Sequence, residues 1–246
     1  LQVSSGTTTW EISDFDQTHT LADGINDGVI KQNTWTLEFI DFDSLIGGSG
    51  NDTFEFKGTS RVRQISGGAG TNTLIGSDID STYVINATGS DVITRNGNRI
   101  ADFTNIQTIQ GGSGNDVFIV NRNIASLKGG AGDDTFTLNA KVTTLDGEGG
   151  NDLFDFSQSL ISAVDTLKGG DGDNTILGRN AINIWSIDEA DVESGTVSGV
   201  ATNYIGSFDG IKHITGGTEA ATFNLNASFD GSIDAGDGNN IFNINT

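Results

Sequence analysis

The chain contains no cysteine, no proline and no methionine, and only two histidines, among 246 residues. Without cysteine there is no disulfide, no thiolate zinc site, no iron–sulfur cluster and no thiol nucleophile. His19 and His213 offer too little imidazole for a multi-histidine metal or catalytic centre and read as ordinary polar residues. Cationic side chains are scarce as well: 12 Lys and Arg stand against 33 Asp and Glu, a formal net charge of −21. Such a chain repels nucleic acid and anionic membrane surfaces, so neither is an expected partner, and cations are the natural ones. No apolar run approaches the ~18 residues of a membrane span, so direct membrane insertion is not expected, and no signal-peptide pattern is present. A chain without methionine does not begin at its own start codon, and we expect a segment cut or processed from something longer.

What is abundant is glycine and the Asx residues. Glycine makes up 35 residues, roughly double average usage. Aspartate (26) far exceeds glutamate (7), and 23 asparagines accompany it. These turn-forming residues disfavour helices. Disorder is the simplest reading of so much glycine and charge, but short, regularly placed blocks of Ile, Val, Leu and Phe oppose it.

The blocks belong to an internal repeat. GGSGNDTF (Gly47 to Phe54), GGAGTNTL (Gly67 to Leu74), GGSGNDVF (Gly111 to Phe118), GGAGDDTF (Gly129 to Phe136), GEGGNDLF (Gly147 to Phe154), GGDGDNTI (Gly169 to Ile176), GGTEAATF (Gly216 to Phe223) and AGDGNNIF (Ala235 to Phe242) start 20, 44, 18, 18, 22, 47 and 19 residues apart. The two long gaps read as two rungs each, with a worn turn at Gly89-Ser90-Asp91-Val92-Ile93. A longer repeat overlies the first. Trp10, Tyr83 and Trp185 each open an aromatic-x-Ile triplet. Phe39-Phe42-Leu45, Phe103-Ile106-Ile109 and Phe208-Ile211-Ile214 each lead into a glycine pair. Modules 7–79, 80–181 and 182–246 follow.

One repeat holds two or three short strands and no helix. Each is then one coil of a solenoid, with coils stacked edge to edge at about 4.8 Å and Phe118, Phe136 and Phe154 piled inside. The expected fold is all-β, a parallel β-roll or β-helix over residues 1–246, with coils of about 18–25 residues. Absence of proline agrees, since each coil needs its N–H groups for the next.

The sixth motif position is Asp52, Asn72, Asp116, Asp134, Asp152, Asn174, Ala221 and Asn240. All but Ala221 could ligate calcium. Carboxylates stacked about 4.8 Å apart repel by roughly 3.5 kcal/mol at an effective dielectric of 20. A Ca2+ ion removes that repulsion, because it takes 6 to 8 oxygens and glycine turns expose carbonyls to complete the shell. The alternative is a metal-free role in which Asp and Asn hydrogen-bond the turn backbone; it gains weight at the asparagines.

The GGxGxDxUx turns resemble the RTX, or hemolysin-type, calcium-binding repeats of secreted bacterial proteins, most closely at Gly111 to Ile119, Gly129 to Thr137 and Gly147 to Asp155. The resemblance implies a right-handed β-roll, calcium-triggered folding outside the cell and type I export. It implies Asp116, Asp134 and Asp152 as side-chain ligands, with carbonyls near Gly112, Gly114, Gly130 and Gly132. Asp52 and Asn174 complete the expected metal set. RTX rolls usually carry a nonapeptide on both edges of a coil, whereas here the second edge is irregular (Asn121-Arg122-Asn123, Asn139-Ala140-Lys141), which implies calcium on one edge only. The long FxxIxxIxGG modules look like the repetitive portions of large bacterial adhesins and surface proteins.

Recurrence argues against a catalytic site, which needs one unique constellation. The expected function is a calcium-stiffened, non-enzymatic extender or scaffold, with calcium and neighbouring repeats as partners. Two alternatives stay open. The first is a self-assembling fibre or surface-layer subunit joined end to end through the strand at Asn243 to Thr246. The second is a polysaccharide-binding or polysaccharide lyase/epimerase β-helix, with Arg61, Arg63, Arg95, Arg99 and Arg122 as its candidate bases. Trp10, Tyr83 and Trp185, which could stack on sugars, read instead as core.

Overall fold

A computed structural model of the chain describes residues 1–2, 6–12, 28–32, 35–39, 42–159, 164–189, 194–199 and 203–245. Its described elements are strands joined by turns, without a helix. They fall into two compact units, Leu1–Asp116 and Val117–Thr246, whose boundary lies inside the module expected over 80–181. His19 lies outside the described residues.

In the second unit, apolar residues recurring at the repeat spacing are brought into register by parallel pairing. Phe118 faces Phe136, Phe136 faces Phe154, Phe154 faces Ile176, and the column continues through Ile214 to Ile233. A second parallel sheet aligns Leu127, Leu145, Leu167 and Phe208. Alternation along each strand sends one side chain inward and the next outward; Val117–Val120 and Thr135–Leu138 both alternate half-buried and buried. The rings of Phe118, Phe136 and Phe154 stack with centroids 4.8 and 5.2 Å apart and planes within 7°. Phe136 has a ring on each side and no solvent exposure. Phe136→Ala is therefore expected to lower stability by about 3–5 kcal/mol, read by chemical denaturation. A loss below about 1 kcal/mol would show that the neighbouring rungs close over the gap.

The first unit follows the same rule with shorter columns. Trp10, Phe54, Leu74 and Ile109 align across one sheet and Leu45, Ile65 and Phe103 across the other. Trp10, Tyr83 and Trp185 are fully buried, so they fill the core and offer no surface platform for a sugar. Leu45, Phe103, Ile106, Ile109, Phe208, Ile211 and Ile214 are buried as well, but Phe42, in the connection before Ser44–Ile46, is 38 % exposed.

The long gaps do not contain two parallel rungs each. Thr82–Ile85, Asp91–Arg95 and Asn98–Thr104 form an antiparallel triplet, and so do Asn183–Glu189, Ser194–Gly199 and Asn203–Asp209. Thr9–Ile12, Gly28–Gln32 and Trp35–Phe39 repeat the pattern. In each case the aromatic-x-Ile triplet lies in the first strand, and in the triplets that begin at Thr82 and Asn183 the third strand returns to pair with the preceding coil. Asn98–Thr104, for example, pairs in parallel with Gln64–Ser66. The worn turn at Gly89 is the hairpin corner between the first two strands of its triplet, with Gly89 at φ +81°.

Candidate metal centre

Between the glycines of a corner and the strand that follows, around positions five and six, the chain leaves the strand ladder, so backbone N–H groups need other acceptors. The sixth-position side chains supply them across coils. In the second unit the Asp134 N–H donates to Asp152 Oδ1 (2.9 Å), the Asp152 N–H to Asn174 Oδ1 (2.9 Å) and the Ala221 N–H to Asn240 Oδ1 (2.8 Å). In the first unit the Thr8 N–H donates to Asp52 Oδ1, the Asp52 N–H to Asn72 Oδ1 and the Ser81 N–H to Asp116 Oδ1. Just after the antiparallel triplet that ends at Thr104, Gln107 takes the same part, its Oε1 accepting from the Asn72 N–H at 2.7 Å. All four aspartates of the set, Asp52, Asp116, Asp134 and Asp152, are 1 % exposed, and Asn72 and Asn174 are fully buried.

Position five makes a second ladder in the opposite sense. The Thr71 N–H donates to Asn51 Oδ1, the Asn115 N–H to Asp80 Oδ1, the Asn151 N–H to Asp133 Oδ1 and the Asp173 N–H to Asn151 Oδ1, at 2.7–2.8 Å. Sequence reasoning overlooked this position. The signal was present, since Asn51, Asn115, Asp133, Asn151, Asp173 and Asn239 give Asx at position five in most turns.

The second oxygen of each carboxylate points back into its own turn. The Gly48 N–H donates to Asp52 Oδ2 (2.9 Å) and the Gly112 N–H to Asp116 Oδ2 (3.0 Å). Gly112 thus turns its N–H, rather than its carbonyl, toward the carboxylate. Gly130 lies in the parallel ladder opposite Glu148, the Gly132 carbonyl faces Gly150 of the next coil, and Gly114 packs against the backbone of Ile79 and Asp80. Asp152 Oδ2 has no hydrogen-bond partner although it is buried. It sits over the Gly147 Cα beside the carbonyl oxygen of Gly169: a Cβ on Gly147 would lie 2.0 Å from one and 2.4 Å from the other.

Burial raises the Asp116 carboxyl to about 6, against the opposing hydrogen bonds from Gly112 and Ser81. Burial likewise takes Asp152 to about 6, with Asp133 and Asp146 adding like charge. Asp52 is raised by burial too, and its backbone donors hold part of the rise back. An orphaned carboxylate oxygen against a carbonyl oxygen, inside an acidic neighbourhood, fits a hard divalent cation with oxygen ligands. Among the described residues no three Asp, Glu, His or Cys side chains converge, so backbone carbonyls would have to supply most of such a shell.

The profile of the RTX calcium-binding nonapeptide repeat matches the chain in four copies, over residues 41–56, 105–122, 126–140 and 162–181. This chain carries RTX repeats. The family binds Ca2+. The matched stretches contain the RTX turns of Asp52, Asp116, Asp134 and Asn174; the turn of Asp152 falls between them. That turn departs from the pattern at its second position, where Glu148 replaces glycine yet holds φ +70°. A left-handed residue with a Cβ costs roughly 1–2 kcal/mol. The ion pair of Glu148 with Lys128, at 2.6 Å, offsets part of it. No curated protein matches the chain.

The second edge carries side-chain amides in place of RTX turns. Asn139 Nδ2 donates to Asn121 Oδ1 (3.0 Å) and the Lys141 N–H to Asn123 Oδ1 (3.1 Å). Of the arginines considered as catalytic bases, Arg95 is buried over the Phe56 ring with its guanidinium on the Gly58 and Ser60 carbonyls, and Arg99 is paired with Asp102. His213 hydrogen-bonds Ser232 through Nδ1.

Proposed function

We propose that this chain is a calcium-binding structural segment, a rigid extender or scaffold within an extracellular or cell-surface bacterial protein exported by the type I route. Its repeating units are the modules 7–79, 80–181 and 182–246, built from right-handed coils, and it performs no catalysis. The observation that carries the reading is the stack of buried carboxylates, Asp134 on Asp152, in which Asp152 Oδ2 abuts the Gly169 carbonyl with no donor between them. Asp152, Asp134, Asp116 and Asp52 hold the ions through carboxylate oxygens, and corner carbonyls complete the shells. Bound calcium supplies the positive charge that lets these carboxylates remain ionised while buried. The RTX match favours calcium over other cations and a secreted setting over an intracellular one. Three antiparallel triplets, one near the start of each module, favour a tandem array of like units.

Calorimetric melting with and without EDTA tests the reading. A single site filled at a hundredfold excess over its Kd adds about 2.7 kcal/mol, so the melting temperature should rise clearly in calcium. An identical melting curve in calcium and in EDTA would overturn the assignment.

A further inference from the structure

The asparagine turns hold the same framework as the aspartate turns, with one atom changed. At Asp152 the distal oxygen and the Gly169 carbonyl share the space over Gly147; at Asn174 the amide nitrogen and the Gly210 carbonyl share the space over Gly169. There the nitrogen donates to Gly210 O at 3.0 Å and to Gly170 O, in its own turn, at 3.2 Å. Asn72 repeats the arrangement, donating to Asn105 O at 3.0 Å and to Ala69 O at 3.2 Å. Asn240 Nδ2 reaches Gly236 O at 3.1 Å and Asp237 O at 3.3 Å. Meanwhile the Oδ1 of each asparagine accepts the N–H of the coil before it, as an aspartate does.

We propose that the position-six asparagines Asn72 and Asn174 are built-in replacements for the ion: their amide groups bridge the carbonyls of two successive turns, which an aspartate can bridge only together with a cation, whereas Asn240 donates within its own turn alone. On this account Asn174 and Asn72 are not calcium ligands. Each closes the run of acidic turns that precedes it, Asp134-Asp152 by Asn174 and Asp52 by Asn72. Calcium demand is thereby limited to the aspartate corners, and charge does not accumulate along the whole column. An amide at this place is neutral, donates where the carboxylate cannot, and keeps the acceptor the preceding coil requires. The inference rests on the calcium reading for its account of the aspartates, but the closing role of the amides is independent of metal.

Two exchanges test it on the full chain. In EDTA, Asp152→Asn should raise the melting temperature by about 2–4 °C or more, because a donor now faces the Gly169 carbonyl. Titration calorimetry should show that variant binding fewer calcium ions than the parent. Asn174→Asp should do the reverse, lowering the melting temperature in EDTA and gaining calcium capacity. If Asp152→Asn melts below the parent in EDTA, or Asn174→Asp neither loses stability in EDTA nor gains an ion, the proposal is wrong. Failure of the parent to bind calcium at all would defeat the proposed function instead, and the EDTA comparison of Asp152→Asn would still decide whether the amide closes the turn.

Discussion

In EDTA, lowering the pH from about 7 to about 5 stabilises this protein, and in calcium the same change destabilises it. The reason is the direction in which Asp116 and Asp152 are shifted. A free aspartate has a value near 3.8, and both are raised to about 6 in the fold, chiefly by burial. A carboxyl raised on folding binds its proton more tightly in the native state than in the unfolded one. Its contribution is fully present below about pH 4 and disappears as the pH climbs through about 6. Each shift corresponds to something on the order of 1–2 kcal/mol once water at the turn is allowed for. Relief of the overall charge of −21 acts in the same direction. The local share is isolated by Asp152→Asn, which should flatten the EDTA profile. In calcium the ionised form is the one that binds, so protons compete with the ion and acid removes the stabilisation. Melting curves at several pH values, with calcium and with EDTA, should therefore cross. Parallel profiles would mean that the carboxylates do not exchange protons for metal.

Much of the scaffold was legible because the repeat fixes register. Residues 18 apart in the sequence, such as Phe118, Phe136 and Phe154, become partners across a ladder, and the glycine pairs announce the corners. The antiparallel triplets were not legible from spacing. A gap of 44 or 47 residues accommodates two coils or one coil and a doubled-back pair of strands, and both alternate apolar and polar residues. A local signal did exist: Asn96-Gly97, at φ +48° and +76°, is the dipeptide that a two-residue hairpin turn favours, and it joins Asp91–Arg95 to Asn98–Thr104. In the site, the stacking of position-six carboxylates followed from the motif alone. The direction of each hydrogen bond did not, because it depends on the offset between coils. That offset sends position-six acceptors backward, as from Asp152 to the Asp134 N–H, and position-five acceptors forward, as from Asp133 to the Asn151 N–H. At the asparagines the nitrogen, the only donor of the amide, faces the carbonyls while Oδ1 accepts the N–H of the preceding coil.

Replacing Gly147 by alanine should cripple the corner while the same change at Gly149, two residues on, is tolerated. Neither glycine requires a left-handed backbone, so the contrast is one of space. A Cβ at Gly147 would stand 2.0 Å from Asp152 Oδ2 and 2.4 Å from the backbone oxygen of Gly169. The first could swing aside, but the second belongs to the next coil, so a methyl group forces the two coils apart or expels the carboxylate. At Gly149 the nearest atom is Gly130 O at 3.8 Å, an ordinary contact. We expect Gly147→Ala to cost about 3 kcal/mol or more and Gly149→Ala less than about 1 kcal/mol, measured by denaturation in EDTA. Gly147→Ala should also weaken calcium binding, since it displaces the orphaned oxygen and the carbonyl together, while Gly149→Ala leaves it intact. Equal behaviour of the two variants would show that Asp152 Oδ2 and Gly169 O do not converge over Gly147. The cation would then lose a place where an unpartnered carboxylate oxygen meets a carbonyl.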